Sequence, residues 1–191
     1  RPQPDLISAD SLSDMSRIYN WLKGGQKGSD QLVRELELNP PYQTLVIDGW
    51  SEIQRYVVIN ASGNTGKSVG DKPNPIEIQH YGTIFAQTTA LAEGFYSLPM
   101  HVISTILEKS DDSGTNFQLQ LVGQSKDQLA SYPEIVGRLV HIERVSTQVK
   151  AALKDALAPD TVSVCFFKPS SKWEAKDQTG ALGDVLIDPT I

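Results

Sequence analysis

Residues 44–48 read Thr44-Leu45-Val46-Ile47-Asp48, and this stretch gives the strongest indication of the fold. Its β-branched and aliphatic residues are consecutive instead of alternating with polar ones, and they end at an aspartate. Uninterrupted apolarity of this length is typical of a strand buried on both faces, as strands are in parallel sheets. The stretch therefore predicts an interior parallel strand with an acidic residue at its carboxyl end.

Helical patterns and apolar runs alternate around this strand. Helical segments are predicted at residues 11–22, 29–38, 51–59, 77–97, 127–136 and 148–157. Ser11 or Asp10 can cap the first of them. Three further apolar runs predict strands: residues 101–106, 139–145 and 162–167. Because strands separated by helices form parallel sheets, the predicted fold is α/β with a mostly parallel central sheet flanked by helices.

The composition excludes several classes of protein. Lys and Arg total 17 against 23 Asp and Glu, a net charge of −6, which argues against a uniformly basic DNA-coating protein. A single cysteine, Cys165, excludes an internal disulfide and any multi-cysteine zinc site. No apolar run approaches 18 residues, so we expect neither a membrane helix nor a signal peptide, and a cytoplasmic location. We expect one domain over residues 1–191.

Asp48 is the first candidate for chemistry, because ligands of parallel sheets bind at the carboxyl ends of the strands. In P-loop nucleotide hydrolases an aspartate in this place holds the magnesium ion that bridges the β- and γ-phosphates. An equally simple interpretation is that Asp48 caps the helix that begins near Ser51. The pattern alone leaves both interpretations open.

Polar residues also follow the predicted strand at 101–106. The hydroxyl of Thr105 can sense a γ-phosphate or position a water molecule there, and Glu108 and Lys109 come next. The alternative is a strand end with solvated charges. Elsewhere, several cations can stabilise phosphate charge, including from a neighbouring subunit, or can simply be solvated: Lys126, Arg138, Lys168, Lys172 and Lys176.

Residues 61–68, ASGNTGKS, are similar to the phosphate loop G-x-x-x-x-G-K-[ST] except that Ala61 replaces the first glycine. A phosphate loop leads into a helix, but the next residues include Gly70, Pro73 and Pro75, which are incompatible with one. We therefore expect no phosphate loop here. A self-contained nucleotide site at residues 63–68 is kept as an alternative.

Several of these segments, taken in order, resemble a known family. YQTLVIDG at 42–49, Tyr81-Gly82 at the start of the long helix, and HVIST followed by Glu108-Lys109 are similar to phage-encoded RecA-like nucleotide-binding proteins. That family includes the single-strand-annealing ATPases of phage recombination. VGRL at 136–139 and AKDQTGAL at 175–182 resemble its later segments, so the likeness covers most of residues 5–182.

The resemblance implies a RecA-like P-loop NTPase core that binds ATP and Mg²⁺ between the subunits of a homo-oligomer, a ring or a filament. Asp48 would be the Walker B aspartate, which holds magnesium through water. Thr105 would be the sensor residue, and Glu108 would belong to the catalytic group. Lys176 would offer its charge to a neighbouring subunit's nucleotide, although Gln178 stands where the family usually carries a basic residue.

The resemblance also implies a partner, single-stranded DNA. Residues 58–75 and 107–117 correspond to the DNA-facing loops of the family, which makes Lys67, Lys72 and Lys109 the implied DNA contacts. The implied function is ATP hydrolysis in phage DNA recombination or strand annealing, in the cytoplasm of an infected bacterium.

One departure from the family pattern concerns its start. The family's Walker A loop should precede every segment seen here, and the sequence begins at Arg1 instead of a methionine. We therefore expect that the strand and phosphate loop before residue 1 are missing. The alternative is a catalytically inactive structural or scaffolding protein that retains the RecA-like sheet.

Overall fold

The structure is a computed structural model that describes residues 5–26, 41–64, 74–111, 113–142 and 162–187. These residues contain four helices, α1 (Leu12–Lys23), α2 (Trp50–Ala61), α3 (Ile78–Tyr96) and α4 (Ser125–Ser131). They also contain nine strands: β1 (Thr44–Ile47), β2 (His101–Ser104), β3 (Glu108–Ser110), β4 (Phe117–Leu119), β5 (Ile135–Val136), β6 (Arg138–Ile142), β7 (Val162–Phe166), β8 (Lys176–Asp177) and β9 (Val185–Ile187).

The chain forms two compact units. The first comprises the described residues up to Glu108 together with Leu119–Tyr132, and it contains the four helices, β1 and β2. The second comprises Lys109–Gln118 and the described residues from Pro133 onward, and it contains β5 to β9. None of the helices in the described ranges has the length and apolar character needed to cross a membrane.

The first unit is built on a parallel pair of strands. β1 and β2 run in parallel, with register partners from Thr44 and His101 to Ile47 and Ser104. Each helix of this unit contributes buried residues to a core that it shares with Ile47 of β1, since burying these side chains removes apolar surface from water. The buried residues of the resulting core are Met15, Trp21, Leu22, Ile47, Trp50, Ile53, Ala92, Phe95, Leu98, Leu121 and Leu129.

The prediction of a RecA-like P-loop core with a mostly parallel central sheet is wrong for the described residues. β1 and β2 are the one parallel pair among the described register pairs. The pairs β5–β8, β6–β7 and β7–β9 are all antiparallel. Residues 139–145 and 162–167 do contain strands, but they lie side by side with Leu139 opposite Cys165. Apolar patterns locate strands, whereas strand direction depends on long-range pairing.

Burial of the parallel pair on both faces is also a wrong prediction. Val46 and Ile103 are register partners, and their exposed fractions are 61% and 42%. On the opposite face Ile47 is buried, and Leu45 and Val102 pack against the core. The pair therefore has one dry face and one wet face, although its sequence is apolar on both.

Candidate functional site

The candidate site lies where β1 and β2 end together. Because Ile47 and Ser104 are register partners in a parallel pair, the next residues, Asp48 and Thr105, leave the two strands side by side. The Thr105 backbone N–H donates to the Ile47 carbonyl oxygen at 3.0 Å, which extends the ladder past the last paired residues. The parallel pairing thus brings together two polar residues that lie 57 positions apart in the sequence.

A hydrogen bond joins the two side chains directly. Thr105 Oγ1 donates to Asp48 Oδ1 at 2.7 Å, and both residues are exposed. The direction of donation is fixed, because an ionised carboxylate can only accept. Within the described part of the chain the other carboxylate oxygen, Oδ2, accepts no hydrogen bond. Thr105 therefore orients the carboxylate and leaves one of its oxygens toward solvent.

The backbone after Asp48 is held in place from both strands. Gly49 has a φ of +104°, a left-handed conformation that glycine adopts without the steric cost of a side chain. Directly after it, the Trp50 N–H donates to the Thr105 carbonyl oxygen at 2.9 Å, and Ser51 Oγ accepts from the Leu107 N–H at 3.2 Å. This turn fixes the backbone beside Asp48 before any ligand binds.

The turn also bears on the interpretation of Asp48 as a helix cap. Helix α2 has Gly49 as its N-cap, and no side chain makes a capping hydrogen bond there. The Asp48 carboxylate instead accepts a hydrogen bond from Thr105, the residue that follows β2. The interpretation of Asp48 as the cap of the following helix is therefore wrong.

Asp48 and Thr105 fit the donor set of a magnesium–phosphate site. Magnesium usually keeps several waters and takes one or two carboxylates, with substrate phosphates as further ligands. The exposed Asp48 carboxylate can meet such an ion through water. No group of three or more His, Cys, Asp or Glu that could hold a metal is found in the described ranges. An ion held here would therefore need phosphate oxygens as ligands as well as Asp48.

The other predicted site residues are placed separately. Glu108 and Lys109 begin β3 with exposed side chains, after the 105–107 segment that is bonded to the start of α2. Lys176 is half-buried in β8 of the second unit, where it is the register partner of Val136. Lys67 and Lys72 lie outside the described residues, as do residues 65–68 of the phosphate-loop-like motif.

Gly49 and Ser51 are residues of this site to which the sequence analysis assigned no role. The signal for Gly49 is the Asp-Gly pair at the end of an apolar run, since glycine there indicates a turn with a positive φ. Ser51 carries no comparable signal, because its hydrogen-bond donor, the Leu107 N–H, lies 56 residues further along the chain. In comparisons with known proteins, no family model, no curated protein and no solved structure matches this chain.

Proposed function

We propose that this chain binds a magnesium–nucleoside triphosphate at the carboxyl ends of β1 and β2 and hydrolyses it. The observation that supports the proposal is the 2.7 Å hydrogen bond from Thr105 Oγ1 to Asp48 Oδ1 at the end of a parallel strand pair. Ligands of parallel sheets bind at this end of the strands, and one oriented carboxylate is what a magnesium–phosphate complex requires. When bound, the ion neutralises the negative charge of the phosphates.

In this arrangement Thr105 orients the Asp48 carboxylate. A direct sensor of the γ-phosphate would have to donate its hydroxyl hydrogen to a phosphate oxygen, but that hydrogen is given to Asp48. We therefore assign Thr105 the role of a positioning residue, which keeps Asp48 Oδ2 turned toward solvent. The fixed turn at Gly49 contributes in the same way, because a site that is already arranged loses less entropy when it binds.

The proposal extends to single-stranded DNA through the family resemblance. Lys109 is exposed on β3, and exposed lysines are the side chains that contact a nucleic-acid backbone. On this basis the protein hydrolyses ATP as a homo-oligomer on single strands. Oligothymidylate should then raise the rate of phosphate release by the full chain.

The binding of ATPγS tests the nucleotide part of the proposal. Titration of the full chain should give a Kd at least about tenfold tighter with Mg²⁺ than with EDTA, because Asp48 would hold an ion that neutralises the phosphate charge. AMP is the matched control ligand. It lacks the β- and γ-phosphates, so its Kd should differ little between Mg²⁺ and EDTA. Absence of ATPγS binding would instead favour a non-catalytic structural protein, which the small extent of the parallel pair also favours.

Replacing Thr105 by valine tests the positioning role. The hydroxyl is lost while the shape of the side chain is kept, so affinity for Mg²⁺–ATPγS should fall about tenfold, as for other groups that orient metal-binding residues. Thr105→Ser keeps the hydroxyl and should restore most of the affinity. An affinity unchanged in Thr105→Val would show that the hydrogen bond to Asp48 does not matter for binding.

A further inference from the structure

Tyr96, the last residue of α3, is hydrogen-bonded to the end of β2. Its hydroxyl lies 2.5 Å from the Ser104 hydroxyl, and either of the two can be the donor. Both residues are half-buried, which strengthens a hydrogen bond because less water competes for it. Ser104 is the last residue of β2 and directly precedes Thr105 of the candidate site. The bond therefore fixes β2 to α3 at the position next to Thr105.

The aromatic ring of Tyr96 contacts the chain that follows β1. It is stacked on the ring of Trp50, with the centroids 6.2 Å apart and the planes inclined by 22°. Trp50 is fully buried and begins α2, two residues after Asp48. Its backbone N–H donates to the Thr105 carbonyl oxygen at 2.9 Å. One side chain of α3 therefore contacts both of the chain segments that form the site.

These contacts form a closed cycle, the contact cycle, of four residues: Thr105, Trp50, Tyr96 and Ser104. A backbone hydrogen bond joins Thr105 to Trp50, and ring stacking joins Trp50 to Tyr96. The hydroxyl bond joins Tyr96 to Ser104, and the peptide bond from Ser104 to Thr105 closes the cycle. Residues locked by packing and hydrogen bonds in this way keep a site within its productive geometry.

The hydrogen bond between Thr105 and Asp48 needs such a restraint. Thr105 Oγ1 lies 2.7 Å from Asp48 Oδ1, and both residues are exposed. A displacement of Oγ1 by about 1 Å away from the carboxylate would take the two oxygens out of hydrogen-bond distance. The half-buried contacts behind Thr105 restrain it where its own exposed side chain cannot.

Tyr132 packs on the opposite side of Tyr96 and provides a comparison. The two rings are stacked with centroids 6.0 Å apart. The Tyr132 hydroxyl donates to Glu93 Oε1 at 3.0 Å and accepts from Gln128 Nε2 at 3.2 Å. These two partners belong to α3 and α4. The hydroxyls of two stacked tyrosines therefore differ in what they hold, and only that of Tyr96 is bonded to a residue next to Thr105.

We infer that Tyr96 is a positioning residue for the Asp48–Thr105 pair. Its hydroxyl fixes Ser104, and its aromatic ring fixes Trp50. Thr105 lies between these two contacts, so its hydroxyl stays within reach of the Asp48 carboxylate. The role of Tyr96 in ligand binding rests on the proposed nucleotide site, whereas its effect on the geometry of the strand ends does not.

Hydrogen exchange of the full chain without nucleotide tests the geometric effect. Tyr96→Phe removes the hydroxyl and keeps the stacking on Trp50, so it opens the contact cycle at one link. The backbone N–H groups of Trp50 and Thr105, followed by NMR, should then exchange about fivefold faster, the loss expected for one hydrogen bond. Tyr132→Phe is the matched control and should change these rates by less than about twofold. Equal rates in Tyr96→Phe and the wild-type chain would overturn the inference.

The affinity for Mg²⁺–ATPγS tests the positioning role. Tyr96→Phe and Ser104→Ala remove the two ends of one hydrogen bond, so each should weaken binding about fivefold and the double variant no further. Ser104→Thr keeps the hydroxyl and should retain most of the affinity. Combined with Thr105→Val, Tyr96→Phe should cost less than about twofold, because the hydroxyl that it positions is already gone.

A purely structural role of Tyr96 gives a different pattern. The losses caused by Tyr96→Phe and Thr105→Val would then add in full, and that result would overturn the inference. A wild-type chain that does not bind ATPγS would contradict the proposed nucleotide site, and the exchange rates of Trp50 and Thr105 would then decide the effect of Tyr96 alone.

Discussion

Replacing Asp48 by asparagine should lower Mg²⁺-dependent ATP hydrolysis about 10–100-fold, the loss typical of removing a group that meets a metal through its bound water. Asparagine keeps an oxygen that can accept the Thr105 hydrogen bond, so the geometry of the strand ends is preserved. What is lost is the negative charge facing the metal–phosphate complex. Phosphate release measured at saturating nucleotide, with and without oligothymidylate, checks this result.

Glu52→Gln is the control for charge. Glu52 is exposed in the first turn of α2, four residues after Asp48, and is paired with Arg55, whose hydrogen bond lowers the pKa of Glu52. Removing this charge should leave hydrolysis within about twofold, as expected for a screened surface charge. Equal losses of hydrolysis in both variants would mean that the total negative charge near the start of α2 matters, and not the Asp48 carboxylate in particular. Full activity in Asp48→Asn would refute the assignment of Asp48.

Replacing Trp50 by alanine should reduce the free energy of unfolding of the first unit by about 3–5 kcal/mol, the range for deleting a buried aromatic side chain. Trp50 is fully buried, with its ring 6.5 Å from that of Phe95 and stacked on that of Tyr96 at 6.2 Å. Alanine leaves a cavity between α2 and the end of α3. Urea unfolding followed by far-ultraviolet circular dichroism measures the change.

Trp50→Phe provides the comparison for this core position. The indole N–H of Trp50 is buried and finds no hydrogen-bond partner in the described part of the chain, so phenylalanine deletes no hydrogen bond and keeps part of the ring packing. Its cost should be well below that of alanine. A loss under about 1 kcal/mol in Trp50→Ala would contradict the position of this side chain in the core.

The helices of the first unit follow from local patterns in the sequence. Residues 11–22 and 77–97 were predicted as helices, and α1 and α3 occupy nearly the same ranges. Of the two caps considered, Ser11 and Asp10, the structure has Ser11, whose hydroxyl oxygen accepts from the Asp14 N–H at 3.2 Å. Helical spacing and capping involve residues only three or four positions apart, so a single sequence contains the whole signal.

The parallel pairing of β1 with β2 could also be anticipated, because the helical pattern between the two apolar runs implies a crossover. The same reasoning failed for β6 and β7. Apolar runs separated by a segment with helical spacing were again taken as parallel, yet Arg138 pairs with Phe166 in an antiparallel ladder. Parallel and antiparallel pairing are both compatible with the same apolar pattern. The direction of the strands is decided by their packing with the rest of the unit.

The amino-acid sequence alone predicted an acid at the end of one apolar strand and a threonine at the end of the next one. The three-dimensional structure was needed to show that these side chains touch, that Gly49 and not Asp48 is the N-cap of the following helix, and that Arg138 lies against Phe117 and Trp173. The physical reason is the range of the interactions. Periodicity and turn chemistry act over a few residues, whereas each of these contacts joins strands or loops whose relative direction depends on burying the whole core.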